Sequence, residues 1–159
     1  MHDYPDGFGR SISIINRKAL SYFSRRLKPL GLGPGQQAYL LALSPGETLS
    51  QEEIARRLSV DKANVSRAVR GLEDLGYLRR EQSEEDARTI QLSLTKRGEE
   101  ARKAAEKIAA GWISLLKEPL TESEWSAAEA ALEAIATVFD QKDRSGLSDK
   151  GNTAPPDRQ

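Results

Sequence analysis

The chain contains 159 residues, of which 24 are Lys or Arg and 24 are Asp or Glu, so its formal net charge at neutral pH is zero. This length suggests one domain, or one domain with a tail, and the chain lacks the overall basic character that is typical of nucleic-acid-binding proteins. The absence of cysteine excludes disulfides and thiolate chemistry, and a single histidine, His2, excludes a histidine-based triad or a multi-histidine zinc site.

No apolar run approaches the roughly 20 residues that span a bilayer. The first ten residues also lack the apolar stretch of a secretory signal. We therefore expect a cytoplasmic, mostly helical protein that needs no cofactor.

The first predicted element is a helix over residues 10–28, because apolar residues recur there every three or four positions. The residues of this stripe are Ile12, Ile15, Ala19, Phe23 and Leu27. A short helix follows, with Gly33 and Pro34 at its start and residues 44–46 at its end.

Two helices separated by a tight turn come next. Ser50 and Glu53 form a capping box that starts the first helix, and Asp61 caps the second. Ser59 and Val60 form the break between them. The buried stripe of the second helix is Val65, Val69, Leu72 and Leu75, and Gly76 ends it.

The apolar period then changes to that of strands. Residues 77–82 read as extended, residues 83–88 as a polar loop, and residues 89–95 alternate with Ile90, Leu92 and Leu94 on one face. This pattern predicts a two-stranded hairpin.

Two long helices end the ordered part of the chain. Thr95 caps a helix that reaches about Lys117, and Thr121 with Glu124 forms a second capping box. Their apolar stripes are Ala101, Ala105, Ile108, Trp112 and Leu115, then Trp125, Ala128, Leu132, Ile135 and Phe139. Residues 140–159 contain almost nothing to bury, and we expect them to be disordered.

The order of elements in residues 50–95 is that of a winged helix-turn-helix. With its stripe turned inward, the second helix presents a small, polar and basic face that suits a DNA major groove. This face consists of Lys62, Ala63, Ser66, Arg67 and Arg70.

Charge is unevenly distributed along the chain. Residues 56–70 contain five basic residues and one acidic residue, a net charge of +4, whereas residues 118–140 contain six acidic residues and no basic one. This polarity supports a nucleic-acid surface, although a charged helix face is usually only solvated.

The stretch from Ile54 to Gly98 resembles the MarR family of bacterial transcriptional regulators. Residues 54–80 are similar to the family's helix-turn-helix and first wing strand, and residues 86–88 match its Asp-x-Arg wing motif. Residues 90–98 match its second wing strand and its Leu-Thr-x-x-Gly helix start. With the flanking helices, the resemblance covers about residues 8–140.

The resemblance implies a mainly α fold with a small β-hairpin wing. It assigns residues 8–32 and 96–140 to a helical dimerisation region, 33–95 to a winged helix-turn-helix DNA-binding lobe, and 141–159 to a disordered tail. The protein would be a homodimeric repressor of a pseudo-palindromic operator in double-stranded DNA, released by a small ligand. The wide apolar stripes of the last two helices favour a dimer independently, with a helical hairpin inside one chain as the alternative.

Residue roles follow from the resemblance. Ser66, Arg67 and Arg70 would reach base edges or adjacent phosphates, and Lys62 would hold phosphate. Arg88 would enter the minor groove with Asp86 orienting it, unless the two form only a turn salt bridge. The implied DNA-binding set is Lys62, Asn64, Ser66, Arg67, Arg70, Asp86 and Arg88.

The wing is unusually acidic. Glu84 and Glu85 beside Asp86 would repel phosphate, so the wing either inserts shallowly or needs Arg79 and Arg80 to compensate.

Many members of the family bind a phenolic or other aromatic acid between the dimer helices and the winged lobe. Tyr22, Arg26 and Tyr39 are the residues here that could line such a pocket, although core packing explains both tyrosines equally well. The alternative function is a winged-helix module that docks an acidic protein partner without sequence-specific DNA binding. An enzyme is poorly supported, because the sequence has no candidate nucleophile–base pair.

Overall fold

A computed structural model describes residues 7–33, 35–82 and 90–144, with side chains described as far as Val138. The helices are α1 (Gly7–Leu27), α2 (Gln36–Leu41), α3 (Gln51–Leu58), α4 (Lys62–Asp74), α5 (Lys96–Lys117) and α6 (Glu122–Arg144), and a short 3-10 turn (Lys28–Leu30) follows α1. The strands are β1 (Thr48–Ser50), β2 (Leu78–Gln82) and β3 (Ile90–Leu94). The prediction of a mainly α fold with a small β component is confirmed.

Local signals place the starts of three helices where the sequence predicts them. The Ser50 hydroxyl accepts from the Glu53 N–H at 3.2 Å, and the Glu53 carboxylate accepts from the Ser50 N–H at 2.7 Å. Thr121 and Glu124 make the same reciprocal pair. The Asp61 carboxylate accepts from the Asn64 N–H at 2.8 Å. These bonds satisfy backbone donors that a helix start otherwise leaves unpaired.

Several element bounds differ from the prediction. Helix α1 spans Gly7–Leu27 rather than residues 10–28, and the two predicted strands are each shorter by one residue or two. Helix α2 begins at Gln36, after Gly35 in a left-handed conformation (φ 85°), rather than at Gly33. Pro34 lies outside the described residues. Helix α6 continues to Arg144, past the predicted boundary at residue 140, and residues 145–159 lie outside the described part of the chain.

The sheet has three strands, not the two of the predicted hairpin. Strand β3 is central, and Leu92 pairs with Leu49 of β1 on one side and with Arg80 of β2 on the other. The sequence prediction missed β1 because three residues before a helix carry no alternating pattern of their own. The central position buries both faces of β3 towards its C-terminal end, where Leu92 and Ser93 are both buried.

The core lies in the winged lobe. Its fully buried large side chains come from α1, α2, the segment after α2, α3, α4 and β3: Leu27, Leu40, Leu43, Ile54, Val65, Val69, Leu72 and Leu92. Two apolar residues of the predicted stripes are less buried than the others. Leu75 is half-buried against the core, and Ile90, the first residue of β3, is exposed. Ala101 and Ala105 of α5 also enter this core, so the first turns of α5 belong to the lobe.

The junction between the wing and α5 is built around Thr95 and Gly98. The Thr95 hydroxyl donates to the Gly76 carbonyl at 2.7 Å and accepts from the Gly98 N–H at 3.0 Å. A Cβ at Gly98 would lie only 2.0 Å from the Tyr77 carbonyl oxygen. The close approach of α5 to the loop before β2 therefore requires glycine at this position.

The chain divides into two units between Leu115 and Leu116. In the first unit, Phe23 and Leu27 of α1 pack on the lobe core, but Ile12 and Ile15 of the predicted stripe are exposed. In the second unit, Leu132, Ile135 and Val138 of α6 are exposed. Within the described residues, no helix combines the length and apolar character needed to cross a membrane.

Candidate nucleic-acid interface

The turn between α3 and α4 determines how α4 is presented. Ser59 ends α3 in a left-handed conformation (φ 51°), and the Val60 N–H donates to the Ala55 carbonyl at 3.0 Å. Val60 and Ala55 pack against the lobe core. The chain therefore reverses within two residues and enters α4 directly at its cap, Asp61.

One face of α4 is buried and the opposite face is exposed. Val65, Ala68, Val69 and Leu72 are buried. At about 100° per residue, the centre of the opposite face contains Ala63, Arg67, Arg70 and Asp74, all of them exposed. Lys62 is exposed at the helix start, and Ser66 is half-buried at the edge of this face.

The structure thus brings the five predicted α4 residues onto one helix, where Arg67 and Arg70 lie on the outward face and Ser66 borders it. Lys62 and Asn64 lie about 100° to either side of Ala63. Sequence reasoning missed Asp74, which ends this face with a negative charge. The signal was present, because Asp74 follows Arg70 by one helical turn.

Asn64 takes part in a local network. Its N–H donates to Asp61 Oδ1 at 2.8 Å, and its side-chain amide nitrogen donates to Asp61 Oδ2. Asn64 Oδ1 accepts a hydrogen bond from the Arg67 guanidinium. The predicted contact residues Asn64 and Arg67 are therefore connected to each other and to the helix cap.

The basic residues of the helix-turn-helix are not equally available to a ligand. The Arg57 guanidinium donates to both oxygens of Glu47 at 2.8 and 3.0 Å, and to the Ala42 carbonyl at 2.5 Å. By contrast, Arg56, Lys62 and Arg70 are exposed and have no ion pair or side-chain hydrogen bond within the described residues. Arg67 is also exposed, and its described partner is the uncharged Asn64 amide. Of the five positive charges counted in residues 56–70, only that of Arg57 is therefore matched by an ion pair within the described residues.

The two arginines of β2 are also occupied. Arg79 Nε donates to the Ser93 hydroxyl at 2.9 Å and lies 3.2 Å from Glu81. Arg80 Nε lies 2.5 Å from the Glu73 carboxylate. Asp86 and Arg88, like Glu84 and Glu85, lie outside the described residues, so the predicted wing contacts remain predictions.

The Arg57–Glu47 pair predicts an acid-dependent stability. The hydrogen bonds from Arg57 and from the Ser44 backbone lower the pKa of Glu47 from 4.5 to about 2. A carboxyl group whose pKa is lower in the folded state stabilises the protein above its unfolded-state pKa. This contribution is lost as the pH falls from about 4.5 through about 2.

We expect Glu47→Gln to reduce the free energy of unfolding by about 1 kcal/mol at pH 7, and the difference from wild type to shrink towards pH 2. The magnitude is small because the carboxylate and guanidinium side chains are 28% and 43% exposed, which allows solvent screening. Urea unfolding of both proteins at pH 7, 4.5, 3 and 2 measures this. The same substitution in an Arg57→Gln background is the control and should show a smaller dependence. A constant difference at every pH would contradict the prediction.

The three residues predicted to bind a small ligand do not all lie together. Arg26 stacks over the Tyr22 ring at 3.8 Å, and this ring lies 5.3 Å from Trp112 of α5 and 5.4 Å from Phe23. The Tyr22 hydroxyl donates to the Ile108 carbonyl at 3.2 Å. Tyr39 is half-buried against the lobe core, and no ring contact within the described residues joins it to the others. Sequence reasoning assigned Phe23 and Trp112 only to apolar stripes.

Comparison with known proteins identifies the family. A family model described as "MarR family" matches residues 30–89. The HTH-type transcriptional regulator BilQ of Clostridioides difficile (strain CD3) is 30% identical over 104 residues, which are 65% of this chain and 70% of BilQ. The solved structure of MarR is 31% identical, has a TM-score of 0.71, and is matched over 91% of this chain and 99% of its own. This chain belongs to the MarR family of transcriptional regulators.

The fold of this MarR-family protein also matches that of a DNA complex. A MarR-family regulator of Listeria monocytogenes, solved with a 26mer DNA, has a TM-score of 0.78 over 92% of this chain and 97% of its own. Its sequence identity is 24%, so the likeness concerns the fold alone. Membership of the family confirms the predicted winged helix fold. It also confirms the prediction that the protein is a transcriptional regulator rather than an enzyme.

Proposed function

We propose that this MarR-family protein binds double-stranded operator DNA with α4 in the major groove. The observation that carries the proposal is the outward face of α4, on which Arg70 is exposed and unpaired within the described residues, beside Ala63 and Ser66. Small neighbours allow close approach to base edges, and a free guanidinium can donate two parallel bonds to guanine. Lys62 and the first backbone N–H groups of α4 would contact phosphate.

Fluorescence anisotropy with a duplex selected from a random library tests this proposal. We expect Arg70→Ala to weaken binding by about 1–3 kcal/mol and to relax the preference at one base pair. The logarithm of affinity should fall with the logarithm of salt concentration, with a slope of about −0.9 per phosphate contacted. Asp143→Ala, far along the chain from α4, should leave binding unchanged. Equal effects of the two substitutions would contradict the assignment.

We also propose that the protein acts as a homodimer on a pseudo-palindromic operator. Apolar side chains on α1, at the end of α5 and on α6 are exposed in the single chain: Phe8, Ile12, Ile15, Leu20, Ile113, Leu115, Leu132, Ile135 and Val138. Exposed apolar residues in this number are typical of a surface that a partner covers. Two α4 helices in adjacent major grooves would read half-sites about 10–10.5 bp apart, or a multiple of this distance.

A repressor released by a small aromatic acid is the regulatory mode that we propose. The Arg26 guanidinium is exposed and lies on the Tyr22 ring, whose neighbours include Trp112. This arrangement offers a cation for a carboxylate and aromatic faces for a ring. Titration with 4-hydroxybenzoate should quench tryptophan fluorescence and release bound duplex, and Arg26→Ala should weaken both effects.

A further inference from the structure

Asp61, the cap of α4, binds both the backbone and the side chain of Asn64. Asp61 uses Oδ1 for the Asn64 backbone N–H, which is the capping bond, and uses Oδ2 for the Asn64 side-chain amide nitrogen. A single carboxylate therefore holds Asn64 by both its main chain and its side chain. Because an ionised carboxylate can only accept hydrogen bonds, it requires the amide nitrogen of Asn64 to face Asp61.

This orientation of the Asn64 amide determines which of its atoms faces the Arg67 guanidinium. With its nitrogen turned towards Asp61, Asn64 directs Oδ1 along the helix, where it accepts from Arg67 Nη2. A guanidinium can only donate, so a flipped amide would present it with another donor. The polarity of the chain Asp61–Asn64–Arg67 is thus the only one that satisfies all three groups.

The two arginines of the outward face consequently differ. Arg67 is exposed but held by Asn64, and it keeps four of its five N–H donors for a ligand. Arg70 is exposed and held by nothing within the described residues. A side chain that is already oriented loses less conformational freedom on binding and is directed to one position.

We infer that Asp61 is a positioning residue that sets the direction of the Arg67 guanidinium through Asn64, and so makes Arg67 selective for a single base pair. The inference rests on the proposed DNA-binding function. The negative charge of Asp61 repels phosphate, so removing it should by itself raise affinity for every duplex, as at Asp74. The positioning effect through Asn64 is separate and concerns selectivity.

The first test needs no DNA. In NMR spectra of the free protein, the Arg67 guanidinium should show separate N–H signals, because its rotation and its exchange with water are slowed. Arg70 should lack such signals. Asn64→Ala keeps the capping bond, which uses the backbone of residue 64, and should abolish these signals. Asp61→Ser keeps a capping oxygen but removes the carboxylate, and should also abolish them. Unchanged signals in both variants would overturn the inference.

The second test measures selectivity on the library-selected duplex, with every base pair substituted in turn. We expect Asp61→Ser to lower selectivity about 5- to 10-fold at the base pair that Arg67→Ala relaxes, without loss of affinity for random duplex. Asn64→Ala should lower selectivity at the same base pair. Adding either substitution to Arg67→Ala should have no further effect there, because the residue being positioned is gone.

Asp74→Ser is the matched control, since it removes the same charge from the same helix outside the network. It should raise affinity for every duplex and leave selectivity unchanged, which separates a charge effect from a positioning effect. Losses of selectivity that add when Asp61→Ser or Asn64→Ala is combined with Arg67→Ala would overturn the inference. An Asp61→Ser variant that leaves selectivity unchanged, as Asp74→Ser does, would also overturn it. In both cases the proposed function stands. A wild-type protein that selects no duplex would instead overturn the proposed function, and the inference with it.

Discussion

Gly98→Ala should prevent stable folding of the winged lobe, with a loss of about 3–5 kcal/mol in the free energy of unfolding. The added Cβ would lie 2.0 Å from the Tyr77 carbonyl oxygen and 2.9 Å from its carbon, and neither backbone atom can rotate away. Moving α5 outward would instead break the bonds that the Thr95 hydroxyl and the Thr95 N–H donate to the Gly76 and Tyr77 carbonyls. Overpacking of this kind commonly costs about 1–3 kcal/mol and more where backbone must shift, which is much of a typical total stability.

Urea unfolding followed by circular dichroism measures this loss. Gly111→Ala is the matched control on the same helix, since its Cβ would meet only the Tyr22 hydroxyl at 2.6 Å. That hydroxyl is a side-chain atom, which can move by a small rotation of Tyr22 at the cost of its 3.2 Å bond to the Ile108 carbonyl. Alanine favours helix by up to about 1 kcal/mol over glycine, which offsets this cost. We expect Gly111→Ala to change stability by no more than about 1 kcal/mol. Similar losses in the two variants would show that the contact with Tyr77 is not the cause.

Leu132→Glu should convert the proposed homodimer to monomers. Leu132 is 56% exposed in the single chain, and a dimer that covers it would have to bury an unpaired carboxylate in the variant. Burying an unpaired charge costs several kcal/mol, so we expect the dimer dissociation constant to rise at least about 100-fold. Sedimentation equilibrium measures this directly. Affinity for a two-half-site duplex should fall with it, because each monomer binds one half-site only.

Ala130→Glu provides the control for added charge. At about 100° per residue, position 130 lies on the side of α6 opposite Leu132, and Ala130 is also exposed. This variant should remain dimeric. A wild-type protein that sediments as a monomer at all concentrations would contradict the dimer itself, whereas a dimeric Leu132→Glu variant would contradict only the position of the interface.

Much of the helical structure of the winged lobe could be predicted, because the sequence signals for helix caps and buried faces are local. The Ser50–Glu53 capping box and the Asp61 cap involve residues three positions apart, and such hydrogen bonds depend on little else. The buried face of α4 followed from helical period alone, which also defined the outward face with Lys62 and Arg70. The family resemblance then attached a function to that face.

Other features depended on partners that are distant in sequence. Strand β1 forms because Leu49 pairs with Leu92. A segment of three residues is too short to carry a pattern that predicts this pairing. Arg57 counted as a free positive charge until the fold brought Glu47 to it, ten residues earlier in the chain. Tyr22 similarly meets Trp112 only through the packing of α1 on α5.

By itself, the sequence determined the order of the helices and of the two wing strands, the capped starts of α3, α4 and α6, and the inward face of α4, since these follow from backbone hydrogen bonding and apolar period within one or two turns. Only the tertiary structure decided which charges remain available, that Asn64 joins Asp61 to Arg67, and why residue 98 must be glycine. The physical reason is that hydrogen-bond polarity, ion pairing and steric contact depend on interatomic distances, and folding brings together groups that the chain keeps apart.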